Sequence, residues 1–200
     1  MAKLKVGKGT KLSLTKEAPG LRKVEVQLFW DSPDVRPAYD LDASALQLAA
    51  SADPRYAFGR SLGDSTVCFY GQPVTPGIES SGDDQEGGVD DADEANETLI
   101  IDFDKVSPAC EIIPVLLSIH DAGTRGHTFD RVTNGRVELV DEKGEVLVTA
   151  DLSGLAGGST SAMFVVFTKK DGQWSFENVS QGYNKDLLQM LSVFGVDAKY

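Results

Sequence analysis

Apolar and polar residues alternate with a period of two along most of this chain. A chain so patterned must bury one face of each extended segment. Val24, Val26 and Leu28 face one way while Glu25 and Gln27 face the other. Ile112 to Ile119 is almost continuously apolar, the pattern of a strand covered on both sides at the centre of a sheet. Two hairpins are legible. Arg136–Val140 and Glu145–Val148 flank Asp141–Gly144, and Met163–Thr168 and Trp174–Val179 flank a turn containing Asp171-Gly172. Helix is scarce. The best candidate starts near Asn184 as its cap, carries Leu187, Leu188, Leu191 and Phe194 at helical spacing, and is closed by Gly195. These signals predict an all-β antiparallel sandwich with a short C-terminal helix, in a single domain over residues 1–200.

The charge of the chain is concentrated. The formal net charge is −12, and eleven of the 31 acidic residues lie between Glu79 and Asp104. No lysine or arginine occurs between Arg60 and Lys105, and outside the acidic block 20 acids stand against 19 bases. Two like charges about 4 Å apart near a protein surface repel by roughly 4 kcal/mol, so such a block calls for a cation or for solvent around every group. Charge runs are ordinarily solvated loops. The alternative is a hard divalent cation, calcium above all, which takes six to eight oxygen ligands.

Asp40 and Asp42 are spaced i, i+2, so on a strand both point to one side, with Leu41 on the other. They form one half of a possible metal cage, which Asp31 could join from a neighbouring strand. Asp83 and Asp84 follow a flexible Gly82, and Asp90, Asp91, Asp93, Glu94 and Glu97 come soon after. An EF-hand is excluded. Counted from Asp91, the position that requires glycine is Asn96. A calcium site here would lie between loops of a sandwich.

Lys8-Gly9-Thr10-Lys11-Leu12-Ser13-Leu14-Thr15-Lys16 opens a series of motifs along the chain. Phe29-Trp30-Asp31, Asp40-Leu41-Asp42-Ala43-Ser44-Ala45 and Gly82-Asp83-Asp84 follow. Ile119-His120-Asp121-Ala122, Phe129-Asp130-Arg131-Val132, Trp174-Ser175-Phe176 and Gln181-Gly182-Tyr183 continue the pattern. In this order they resemble the TerD family of tellurite-resistance and stress proteins, which carries Gly-Asp-Asn where this chain has Gly82-Asp83-Asp84. The resemblance implies a non-catalytic β-sandwich that binds calcium in a cleft walled by acidic loops. It implies Asp40, Asp42, Asp83, Asp84 and Glu97 as ligands, with Asp31 next. The loop before Glu97 is longer than usual, so Asp93 and Glu94, like Asp90 and Asp91, are further candidates. It also implies a role in stress or tellurite resistance, with other stress-resistance proteins as partners, in the cytoplasm or at the inner membrane face. The second reading is a calcium-dependent binding module for a small ligand, cyclic-nucleotide- or lectin-like. The third is a metal-dependent phosphodiesterase.

Other chemistry is poorly supported. The acidic balance disfavours nucleic acid. Met1 to Lys11 has no apolar run of a secretory signal, and no stretch approaches the roughly 20 apolar residues that span a bilayer. Cys68 and Cys110 read as a reduced buried pair, and zinc has neither a Cys-x-x-Cys motif nor more than two histidines to bind it. Neither a nucleophile elbow nor a phosphate loop is present. His120 and His127 read as structural or surface residues, and Trp30, Trp174 and Phe176 as core.

Overall fold

A computed structural model describes residues 4–88, 94–155 and 157–197. In chain order its strands are β1 (Leu4–Lys5), β2 (Lys11–Ser13), β3 (Lys23–Asp31), β4 (Leu41–Leu46), β5 (Leu48–Ala49), β6 (Arg60–Ser61), β7 (Val67–Cys68), β8 (Val74–Thr75), β9 (Ile78–Ser80), β10 (Glu97–Asp102), β11 (Ile112–Ile119), β12 (Thr133–Asp141), β13 (Val146–Asp151), β14 (Ser161–Lys170) and β15 (Gln173–Tyr183). The helices are α1 (Leu14–Glu17), α2 (Ala122–Arg125) and α3 (Leu187–Val193). One sheet runs β1-β13-β12-β3-β10-β9-β8 and the other β2-β15-β14-β11-β4-β7, with β5 and β6 attached at β11. All pairs are antiparallel except β1 with β13.

The alternation in β3 and β10 places Val24, Val26, Leu28, Leu99 and Ile101 on the inner face of the first sheet. Leu41, Ala43, Ala45, Val115, Leu117 and Phe164 from the second sheet complete one shared core. Trp30 and Phe176 lie fully inside, and Trp174 stacks on Phe103 at 4.8 Å, so the aromatics are core residues. The continuous apolar run of β11 has a second cause. The outer face of its sheet carries Leu46, Phe69, Leu116 and Met163, and α3 covers them with Met190, Leu191 and Phe194. Burying such side chains is worth about 1.5–3 kcal/mol each relative to exposure.

The two hairpins form as read, β12 with β13 and β14 with β15. Asp171 and Gly172 have φ of 51° and 77°, the two positive values that a type I′ turn needs. The C-terminal helix starts later than its sequence suggests. Asp186, not Asn184, is the cap, because its carboxylate accepts from Gln189 N while the Gln189 side chain accepts from Asp186 N. Asp31 also departs from expectation. It ends β3 in the sheet opposite β4, so Asp31 and Asp42 are not on neighbouring strands.

Candidate metal centre

Strand β4 begins at the rim of the sandwich. Asp40 stands just before it and Asp42 within it, both on the outer side that Ser44 and Leu46 continue. The backbone is fixed there because His120 N donates to Asp40 O, and Ser118 pairs with Asp42 in register. Asp83 comes from the loop after β9, residues distant in sequence from β4. One carboxylate oxygen from each of Asp40, Asp42 and Asp83 lies within 4.8 Å of the others. Asp40 and Asp42 are only 6% and 4% exposed.

The electrostatics of this cluster are strained. Burial, then the charges of Asp40 and Asp83, pushes the Asp42 carboxyl up to about 7. Burial also raises Asp40, against the partial relief of His120 and of the Arg125 guanidinium 3.8 Å away. Glu97, 2% exposed, closes the arrangement from the opposite sheet. Its Oε2 accepts from Ala43 N at 2.7 Å, and burial drives its carboxyl up to about 9. Asp40 Oδ1 is buried with no hydrogen-bond partner. An unpaired buried carboxylate oxygen beside two other carboxylates is unfavourable unless a cation meets it. The donors are all oxygen, without histidine or cysteine in the group, which matches a hard ion such as calcium rather than zinc.

The neighbouring acids have different positions. Asp84 organises the loop. Its Oδ1 accepts from Glu86 N and Gly87 N, and its Oδ2 from Asn96 Nδ2. Glu94 is exposed. Asp31 accepts from Asn134 Nδ2 and lines a separate cavity of about 630 Å³ with Phe29 and Arg136. Asp93, with Asp90 and Asp91, lies outside the described residues. The structure therefore brings Asp40, Asp42, Asp83 and Glu97 together, places Asp84 in the loop beside them, and puts Asp31 against Asn134.

Two contributors were missed in the sequence. Arg125, on α2, reaches both Asp40 and Asp121 at 3.8 Å. Asn96 ties the acidic loop to the sandwich: its Oδ1 accepts from Trp30 N, while its Nδ2 donates to Asp84 and to Gly88 O. The available signal was its place directly before the acid that opens β10. Gly87 is the second anchor of this loop. At φ +62°, a Cβ there would fall 2.0 Å from Trp30 Nε1, which itself donates to Tyr39 O beside Asp40. Gly87→Ala is therefore expected to destabilise the fold by about 2–4 kcal/mol, from backbone strain and displacement of Trp30. A urea transition unchanged within about 0.5 kcal/mol would show that the loop does not seat on Trp30.

The remaining titratable candidates are structural. Cys68 and Cys110 are free and buried, with their thiols pushed up to about 12 and about 11 chiefly by burial. Such thiols carry almost no thiolate at neutral pH. His127 is buried, stacks on Tyr39 at 3.9 Å, and has its pKa lowered by burial.

Comparison with known proteins agrees with the motifs. The TerD domain profile matches residues 2–194. The tellurium resistance protein TerD of Serratia marcescens is 31% identical over 197 residues, 96% of this chain and 97% of that protein. General stress protein 16U of Bacillus subtilis (strain 168) is 29% identical over 198 residues, 96% of this chain and 97% of that protein. A crystal structure of a homologue of telluride resistance protein (TerD) from Streptomyces coelicolor A3(2) superposes with a TM-score of 0.69, at 28% identity, over 86% of this chain and 96% of that one. This chain belongs to the TerD family.

Proposed function

We propose that this protein is a non-catalytic calcium-binding member of its family, and that calcium orders its acidic loop to present a surface in a stress response that includes tellurite resistance. The names of its relatives support the cellular role. The observation that carries the calcium reading is the convergence of Asp40, Asp42 and Asp83, with Asp40 Oδ1 buried and unpartnered. When bound, a divalent ion supplies the positive charge that these carboxylates lack.

Asp40, Asp42 and Asp83 would hold the ion, with Glu97 and Asp84 beside them. Asp40 and Asp42 are positioned by strand register, Asp83 by the Asp84–Asn96 clasp. Asp93, Glu94 and Asp31 belong to the wider ligand set we propose from the family resemblance. We read the chemistry of the cluster as recognition without turnover. No helix among the described residues is long and apolar enough to cross a membrane. We place the protein in the cytoplasm or peripherally at the inner membrane face, with other stress-resistance proteins as partners.

Thermal melting in calcium and in chelator tests this reading. Calcium at about a thousand times its dissociation constant stabilises the folded chain by roughly 4 kcal/mol. For a chain of this size that is a rise of about 10 °C in Tm. Coincident melts in both buffers, with no heat of binding at millimolar calcium, would overturn it.

A further inference from the structure

Beside the carboxylate cluster, on the outer face of the second sheet, runs a groove of about 390 Å³. Its walls are the Phe69–Tyr70 corner on one side and the start of α3 on the other. The Phe69 and Tyr70 rings meet edge to face at 5.3 Å and 79°, and the Tyr70 and His120 rings at 6.3 Å and 81°. Tyr70 is 46% exposed and Leu188 40%, so two of the few large apolar side chains left on the described surface flank the same groove. Three aspartates also line it, Asp42, Asp121 and Asp186, and no lysine or arginine does. Arg125 offsets Asp121 from outside the lining, at 3.8 Å. In the floor, Ser118 is 4% exposed and its hydroxyl has no hydrogen-bond partner.

An apolar wall excludes a plain hydrated metal ion from most of this space, and the carboxylates exclude an anion. A cation that carries its own apolar surface satisfies both conditions. Ammonium groups bearing alkyl substituents bind the faces of aromatic rings through the ring quadrupole, and the attraction grows where water is removed. We propose that this groove is a binding site for a small organic ammonium ion, its alkyl groups against Tyr70 and Leu188 and its charge toward Asp42. The Tyr70 phenol agrees with this geometry: behind burial, the charges of Asp42, Asp83, Asp121 and Asp40 all push its pKa up, so the ring stands in a negative field. The site does not require calcium; it shares only Asp42 with the cluster.

Choline and its uncharged isostere 3,3-dimethyl-1-butanol separate charge from shape. Each is titrated into the full chain in chelator at about pH 8, above the pH at which Asp42 ionises, with backbone amide shifts followed by NMR. Choline is expected to saturate in the millimolar range, with the largest shifts at Tyr70, His120 and Leu188, and the isostere to bind about tenfold more weakly. Tyr70→Ala and Asp42→Asn are each expected to weaken choline by about tenfold, while Tyr70→Phe, which keeps the ring, retains it. Tyr70 is at the surface, so its replacement leaves the fold intact, as the same spectra report. Equal binding of the isostere, indifference to Tyr70→Ala, or no saturation with choline would overturn the proposal. Because calcium is absent throughout, that failure is separable from any failure of the calcium reading, which the melting shift decides alone.

Discussion

Asp42→Asn will move stability in opposite directions in chelator and in calcium. Asp42 is 4% exposed and its carboxyl is pushed up to about 7, first by burial and then by Asp40 and Asp83. Ionising it at pH 8 without a counter-ion therefore costs on the order of 4 kcal/mol relative to the unfolded chain, where an aspartate titrates near 4. Asparagine has nearly the same shape and no charge. In chelator at pH 8 the variant should unfold at a higher temperature than the natural protein. In calcium it should lose most of the roughly 4 kcal/mol that ion binding adds. An asparagine variant equally destabilised in both buffers would mean that Asp42 serves only the packing of the strand end.

The pH profile follows from the same cluster. Asp42 and Glu97 titrate near 4 when unfolded and at about 7 and about 9 when folded. Across that window the folded state holds more protons than the unfolded state. Their contribution is therefore complete below about pH 4 and is lost as pH rises through about 7 and then about 9. In chelator, stability should fall by several kcal/mol over this range. His127 acts in the other direction. Its pKa is lowered by burial, so its contribution is lost as pH falls through the histidine range. The decline is consequently clearest between about pH 7 and 9. Asp53 and Asp102, which are half-buried, and Asp130, which is exposed, are all lowered, and they act only below about pH 4. Saturating calcium should flatten or invert the slope, because an ion holds the same carboxylates ionised. Denaturant midpoints measured in chelator at successive pH values check this, and a midpoint that rises from pH 7 to 9 would remove the buried-carboxylate account.

Much of the fold was readable because its signals are local. The period-two pattern of Val24, Val26 and Leu28 assigns an inner face whatever the sheet order, and Asp171-Gly172 supplies its own turn geometry. The same periodicity set Asp40 and Asp42 side by side. The helix cap was misplaced by two residues because Asn184 and Asp186 are both competent caps. Only the reciprocal bonds with Gln189 decide between them.

What depends on chain-distant partners was not legible. Asp42 and Asp83 are 41 positions apart, and nothing in either segment states that the loop after β9 folds back over the start of β4. Asn96 looks like any loop residue until Trp30 and Asp84 are seen on either side of it. Asp31 lies in a motif shortly before Asp40 but ends a strand of the opposite sheet. Alone, the sequence established the strands, their buried faces, the acidic charge and the family resemblance, since each is written in neighbouring residues. Only the tertiary structure decided which carboxylates meet, because burial and convergence are produced by packing one sheet on the other.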